Sequence, residues 1–481
     1  MSRSSAASGG RRRVWLTLVT TTLLSALWVA AWGLQQWAPF DHEPAATTWP
    51  ANIHDLATFV EHATQQKFLH VVPVEYIVDH AAFTTRVAPP EVTQADRHVA
   101  ATQDAVGRAL GLWNGDASTL TSSAALETAP SWARWLRTED VLVVRATTAG
   151  AALNAYQRSQ TIVQLTIALD EQHHHLGQRR IDSTTRQQSQ ALGVIGIGHA
   201  VWVHDLYYDH LSPEEQAAYS DESQVGQDDY DAAVAAVPPA FSALRLVGQH
   251  LGPTFVTSVL TYGQAALDDA FGSYAPVALD EVSLPMHKFF RPDQAEHVDA
   301  PPVPWQATQE FSTQAGPFVV FLMASSGLSA NDALTASDGW GNDAYTVYRL
   351  DGRVCLDLHV VADTTADADA LEHAFNAWAE HRPTEAHALA GRKGNSMYVS
   401  VCDPGTKVEQ SIPDANIIDQ YFGRSDMIRQ QVKNGVGAGT AECVASTFFG
   451  RYSMPDMRSG EIKVDVGGQV QAIIAECRSA Q

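Results

Sequence analysis

The sequence predicts an α+β fold, and three observations carry that prediction. Phe59-Val60-Glu61-His62 and the following Phe68-Leu69-His70-Val71-Val72-Pro73-Val74 read as a helix running into a strand. Tyr156 to Leu176 places Ile162, Leu165, Leu169 and Leu176 along one side of a helix. The runs Tyr345 to Leu350 and Arg353 to Val361 flank Asp351-Gly352, a dipeptide whose tolerance of positive φ suits a tight hairpin. With 481 residues, 45% of them hydrophobic, the chain is long enough for two or three domains and apolar enough to fold them.

From the N-terminus, Arg11, Arg12 and Arg13 precede an uncharged run from Val14 to Leu34, close to the roughly 20 apolar residues that cross a bilayer as a helix. Arginines before such a run favour an inside N-terminus, so residues 1–13 are expected in the cytoplasm and 14–34 as an uncleaved signal-anchor. The alternative is a cleaved signal of twin-arginine type and a secreted chain, since Arg12-Arg13-Val14-Trp15-Leu16 partly fits that pattern. Residues 35–50 read as a linker. A helix is expected from near Asn52, a short strand at Asp140 to Arg145, and a long helix over Thr185 to Asp209. Ser212, Pro213 and Glu215 form a capping-box start, and Tyr219 to Asp231 reads as an acidic solvated loop.

Beyond the hairpin, a helix at Ala366 to Glu380 carries Leu371, Phe375 and Trp378 at helical spacing, and a strand runs from Met397 to Cys402. The tail to Gln481 is expected to be mainly helical. Cys355, Cys402, Cys443 and Cys477 all fall in this last part, and four cysteines allow three connectivities. Pairing of Cys355 with Cys402, on strands, and of Cys443 with Cys477, on helices, is favoured in an oxidising compartment. Buried free thiols are the alternative.

Composition and motifs exclude more than they assign. The balance of 31 Lys plus Arg against 54 Asp plus Glu gives a net charge of −23, with no basic stripe, so nucleic acid is not an expected partner. There is no GxxxxGK[ST], GxSxG or HExxH. Gly435-Val436-Gly437-Ala438-Gly439 follows a helical pattern and reads as a helix-helix loop. His173-His174-His175 would splay its imidazoles about 100° apart on a helix and cannot converge on one ion unaided. His199 and His204, five apart, point to different faces.

The stretch Val163-Gln164-Leu165-Thr166-Ile167-Ala168-Leu169-Asp170-Glu171-Gln172-His173, followed by Gln190-Ala191-Leu192 and Gly198-His199-Ala200, resembles a family of bacterial zinc metallopeptidases. Its members carry helices reading approximately HELTHALQDQHFDL and RALVEGDA. Phe59-Val60-Glu61, Val143-Val144-Arg145, Asp280-Glu281-Val282 with Pro285 and Lys288-Phe289, and Gly339-Trp340-Gly341-Asn342-Asp343-Ala344-Tyr345 look like further landmarks in the same order, over roughly Ile53 to Trp378. The resemblance implies a zincin-like fold with a helix-borne site in degenerate form. In the family, two His at i and i+4 and a Glu on the next helix hold zinc, and the Glu after the first His activates water. Here those positions are Val163, Ile167, Ile197 and Gln164, which offer neither ligands nor a base, and Leu284 stands where the family has a His before its Pro.

The expectation is a metallopeptidase-like domain over 51–380 whose zinc is lost and whose cleft is filled by apolar side chains. A C-terminal disulfide-bonded region follows at 381–481. The implied function is a single-pass, extracytoplasmic pseudopeptidase with no cofactor, binding an envelope protein, peptide or polymer. The alternatives are a hydrolase rebuilt on Glu171, His173, His199 and Asp205, and an interaction protein working through its C-terminal region. Gly193, Gly196 and Gly198 inside the second helix mark a kink or a close helix crossing.

Overall fold

The computed structural model describes residues 48–88, 91–127, 131–146, 151–225, 227–291 and 297–479. The anchor expected at 14–34 lies outside these. Among the described residues, no helix is long and apolar enough to cross a membrane.

Two sheets are embedded in a mainly helical chain, an α+β arrangement. Helix α1 (Ala51–Thr64) buries Ile53, Leu56, Ala57 and Val60, the i, i+3, i+4, i+7 stripe of an amphipathic helix. It shares a hydrophobic core with a small sheet of order β1-β3-β2, in which β1 (Val74–Ile77) runs parallel and β2 (Ala133–Leu136) antiparallel to β3 (Val141–Arg145). The strand therefore begins where the sequence pattern ends it. Phe68 to Pro73 is tied down instead by the Gln172 side chain, whose Oε1 accepts the Leu69 N–H at 2.8 Å.

The second sheet is antiparallel, of order β4-β5-β6-β8-β7, over β4 (Thr308–Thr313), β5 (Trp340–Leu350), β6 (Arg353–Ala362), β7 (Leu389–Lys393) and β8 (Ser396–Cys402). At its centre Asp351 and Gly352 turn with φ of 50° and 81°, the two left-handed residues that a two-residue hairpin needs. Cys355 and Cys402 are register partners on β6 and β8 and are disulfide-bonded, as are Cys443 and Cys477 in the helical tail.

Along the chain, between the strands of the two sheets, come the helices that bear the site. They are α5 (Ala155–His174), α7 (Arg186–His210) and α10 (Pro239–Leu260), with α2 (His80–Val87), α3 (Gln94–Ala109), α4 (Thr119–Glu127) and α6 (Leu176–Asp182) before and between them. Gly198 and Gly252 put the α7 and α10 backbones in contact, since a Cβ on Gly198 would fall 2.1 Å from the Gly252 carbonyl carbon. Of the α7 glycines, Gly198 thus serves a close crossing. Gly193 makes room for Arg180 and Gly196 for Leu176. The acidic segment expected as a loop is helical at Tyr219–Ser223 and at Gln227–Asp231, which fall in α8 (Pro213–Ser223) and α9 (Gln227–Ala235). The Ser212–Glu215 capping box starts α8, and none of the helix's residues is fully buried, so it lacks a buried apolar stripe and presents the polarity of a loop.

Candidate functional site

Helix α5 begins at a capping box made by Asn154 and Gln157 and ends at His175, which adopts φ of 49°. Helical periodicity puts Val163, Ile167, Asp170 and His174 on one stripe. Val163, Gln164 and Ile167 are half-buried. Ile167 packs against the N-terminal core, and Gln164 Oε1 accepts the backbone N–H of Trp135 at 3.0 Å, fastening α5 to strand β2. Ile197 faces another way. Its Cδ1 lies against Gly248 of α10, while His199, two residues and about 200° further round α7, turns to α5.

There His199 meets Asp170. Its Nδ1 lies 2.9 and 3.0 Å from the two carboxylate oxygens, and the side chains are only 4% and 2% exposed. With Nδ1 engaged by the carboxylate, Nε2 is the ring nitrogen that points away from Asp170. That Nε2 is buried with no hydrogen-bond partner among the described residues. Trp202 stacks on the ring with centroids 5.8 Å apart, and Phe271 lies 5.2 Å away. Phe271 also contacts His174 at 5.1 Å, and Gln66 Nε2 stands 3.4 Å from His174 Nε2. Burial pushes the His174 imidazole down, against the pull of the Asp170 carboxylate.

Of the four residues expected to rebuild a site, only His199 enters this pair. Glu171 accepts the Gly177 N–H at 2.7 Å and lies 3.5 Å from Arg137. His173 Nε2 is 2.7 Å from the Lys67 carbonyl oxygen. Asp205 lies 3.3 Å from Arg429 and 3.2 Å from Lys433. Burial works to raise its carboxyl, but a hydrogen bond with His204 and the two cations outweigh it and hold the group below the usual range. The donor set does not fit zinc, because Val163, Ile167 and Ile197 have no lone pair to give. Among the described residues, no three His, Cys, Asp or Glu side chains are placed to share a metal ion.

A second histidine–carboxylate pair escaped the sequence reading. Pro285–Phe289 forms one turn of π-helix after the short helix Leu279–Ser283, a local widening that often accompanies function. Glu442, fully buried on the helix Ala438–Arg451, accepts the N–H of Met286 at 2.8 Å and of His287 at 3.0 Å, and also bonds His287 Nδ1. His287 itself is 60% exposed. The bond to Glu442 raises its pKa, against a smaller lowering by burial. The available signal was the Asp280 to Phe289 landmark, which meets the Gly339 to Tyr345 landmark at Asp363. Lys288 forms an ion pair with Asp363, and a Cβ on Gly341 would lie 2.8 Å from its Oδ1. Within the latter landmark, Asp343 accepts the N–H groups of Ala315 and Gly316 at the start of the helix Pro317–Ser325. Burial pushes its carboxyl up to about 6 in spite of those donors.

A family model described as a domain of unknown function, DUF8575, matches residues 292–410, the part of the chain that holds the five-stranded sheet. No curated protein and no solved structure matches the chain.

Proposed function

We propose that the chain is a metallopeptidase-like protein that binds an envelope protein, peptide or polymer outside the cytoplasm and does not cleave it, held at the membrane by residues 14–34. The observation that carries this reading is the bond from the Trp135 N–H to Gln164 Oε1. The position at which the family has its general base is occupied here by an amide with no proton-accepting carboxylate, and that amide is committed to holding a strand. Two disulfides support an oxidising compartment. Full-length protein in detergent should purify without stoichiometric zinc and leave an unfolded protein substrate intact. One zinc per chain, lost on His199→Ala, would overturn the reading.

A rebuilt hydrolase has one observation in its favour, the carboxylate-oriented His199 with an unused Nε2. A general base must reach the proton it removes, however, and Trp202 and Phe271 cover this ring. Hydrolysis that His199→Gln abolishes, together with faster turnover in Phe271→Ala, would establish the hydrolase in place of the binding protein.

A further inference from the structure

The start of β6 and the turn after β8 wall a groove of about 350 Å³, and helix α3 closes its third side. Arg108, Arg349 and Arg353 line it with Asp403 as the sole carboxylate among the lining residues. In a chain of net charge −23 this is a local reversal of sign.

The charges do not cancel. Arg108 grips Asp403 with both arms of its fork, Nε to Oδ1 at 2.9 Å and Nη2 to Oδ2 at 2.8 Å, and Gly405 N–H adds a bond to Oδ1 at 2.9 Å. Asp403 is thereby neutralised and its oxygens are occupied. Arg349 is balanced by Glu310, with Nε to Oε1 at 2.6 Å, and its Nη2 reaches Thr102 Oγ1 at 3.2 Å. Arg353 has no carboxylate in ion-pair contact among the described residues. Its Nη2 donates only to the carbonyls of Glu385 and Asp403, the latter at 3.3 Å. The guanidiniums of Arg108 and Arg353 therefore flank the same turn, one spent and the other with Nε and Nη1 free of acceptors among the described residues.

The walls are also fixed before any ligand arrives. Val354 and Asp403 each adjoin a half of the Cys355–Cys402 disulfide, and the Asp403 N–H donates to the Val354 carbonyl at 2.8 Å. Preorganised guanidiniums at a part-buried turn are suited to an oxyanion, because their donors are planar, permanently charged and weakly hydrated.

We infer that this groove is a binding site for a small oxyanion, a phosphate or carboxylate group carried by a larger ligand, with Arg353 as the contact that supplies the unbalanced charge. The site does not rest on the reading of α5 and α7. Calorimetric titration of the full-length protein with inorganic phosphate, and separately with acetate, at an ionic strength fixed by chloride, tests it. At least one anion should bind, and the tighter of the two names the group. Arg353→Ala should weaken binding by about tenfold or more, the loss expected for a charge-assisted hydrogen bond, and Arg353→Lys should recover part. Asp403→Asn, which releases the Arg108 fork, should move affinity the other way. Equal binding by wild type and Arg353→Ala, or no binding of either anion beyond that of chloride, would overturn the proposal.

Discussion

The two histidine–carboxylate pairs look alike on paper and are built on opposite plans. At His287 the carboxylate is buried and the imidazole is at the surface. Glu442 has two backbone N–H groups besides the ring, so its charge is held by the fold and the histidine is an addition. At His199 both partners are buried, the imidazole is the one hydrogen-bond partner of the Asp170 side chain among the described residues, and the far nitrogen has none. Burial of a charge is tolerated only with compensation, and compensation by backbone or by one side chain gives different fragility.

Breaking the inner pair should cost most. His199→Leu leaves the Asp170 carboxylate 2% exposed and without its imidazole, a loss of about 3–5 kcal/mol in denaturant unfolding. The double variant with Asp170→Leu should recover most of it, because replacing both members of a buried pair by apolar groups is near neutral. A double variant no more stable than His199→Leu would mean that the cost is one of packing.

At the outer pair, Glu442→Ala orphans the N–H groups of Met286 and His287 in a buried place and should destabilise by about 2–3 kcal/mol. His287→Ala should cost only about 1 kcal/mol, since its ring is mostly in water and screened. The raised pKa of His287 gives that small effect a pH signature. A group whose folded pKa exceeds its unfolded value contributes fully below the unfolded value, about 6.5, and loses the contribution as pH rises through the folded one. The deficit of His287→Ala should therefore be largest at acidic pH and shrink on the alkaline side. A deficit that grows with pH would show that the imidazole is held neutral.

The contrast also explains what the sequence made legible. Asp351-Gly352 announces its hairpin because positive φ is a local property of those two residues, and the disulfide partners follow from placing the half-cystines on strands and helices. The inner pair was nearly visible. Glu171 was singled out, but helical phase puts Asp170 on the stripe of Val163 and Ile167, one residue away and about 100° round. The face of α7 was harder to assign, because Ile197 and His199 point to different helices and only the Gly198–Gly252 contact settles which is which. Glu442 lies 155 residues from His287, and no local pattern joins them. The capping box marks the start of α8, but its last turn reads as loop because a helix without a buried residue lacks the apolar stripe by which helices are recognised.

That glycine contact has a mechanical consequence. Where α7 crosses α10 there is no side chain to act as a bearing, so rolling either helix by a few tens of degrees would drive a neighbouring side chain into backbone. The crossing works as a keyway that sets the rotation of α7 about its own axis. Substitutions can change the chemistry presented to α5 at residue 199 and to α10 at residue 197, but they cannot exchange the two faces while residues 198 and 252 remain glycine.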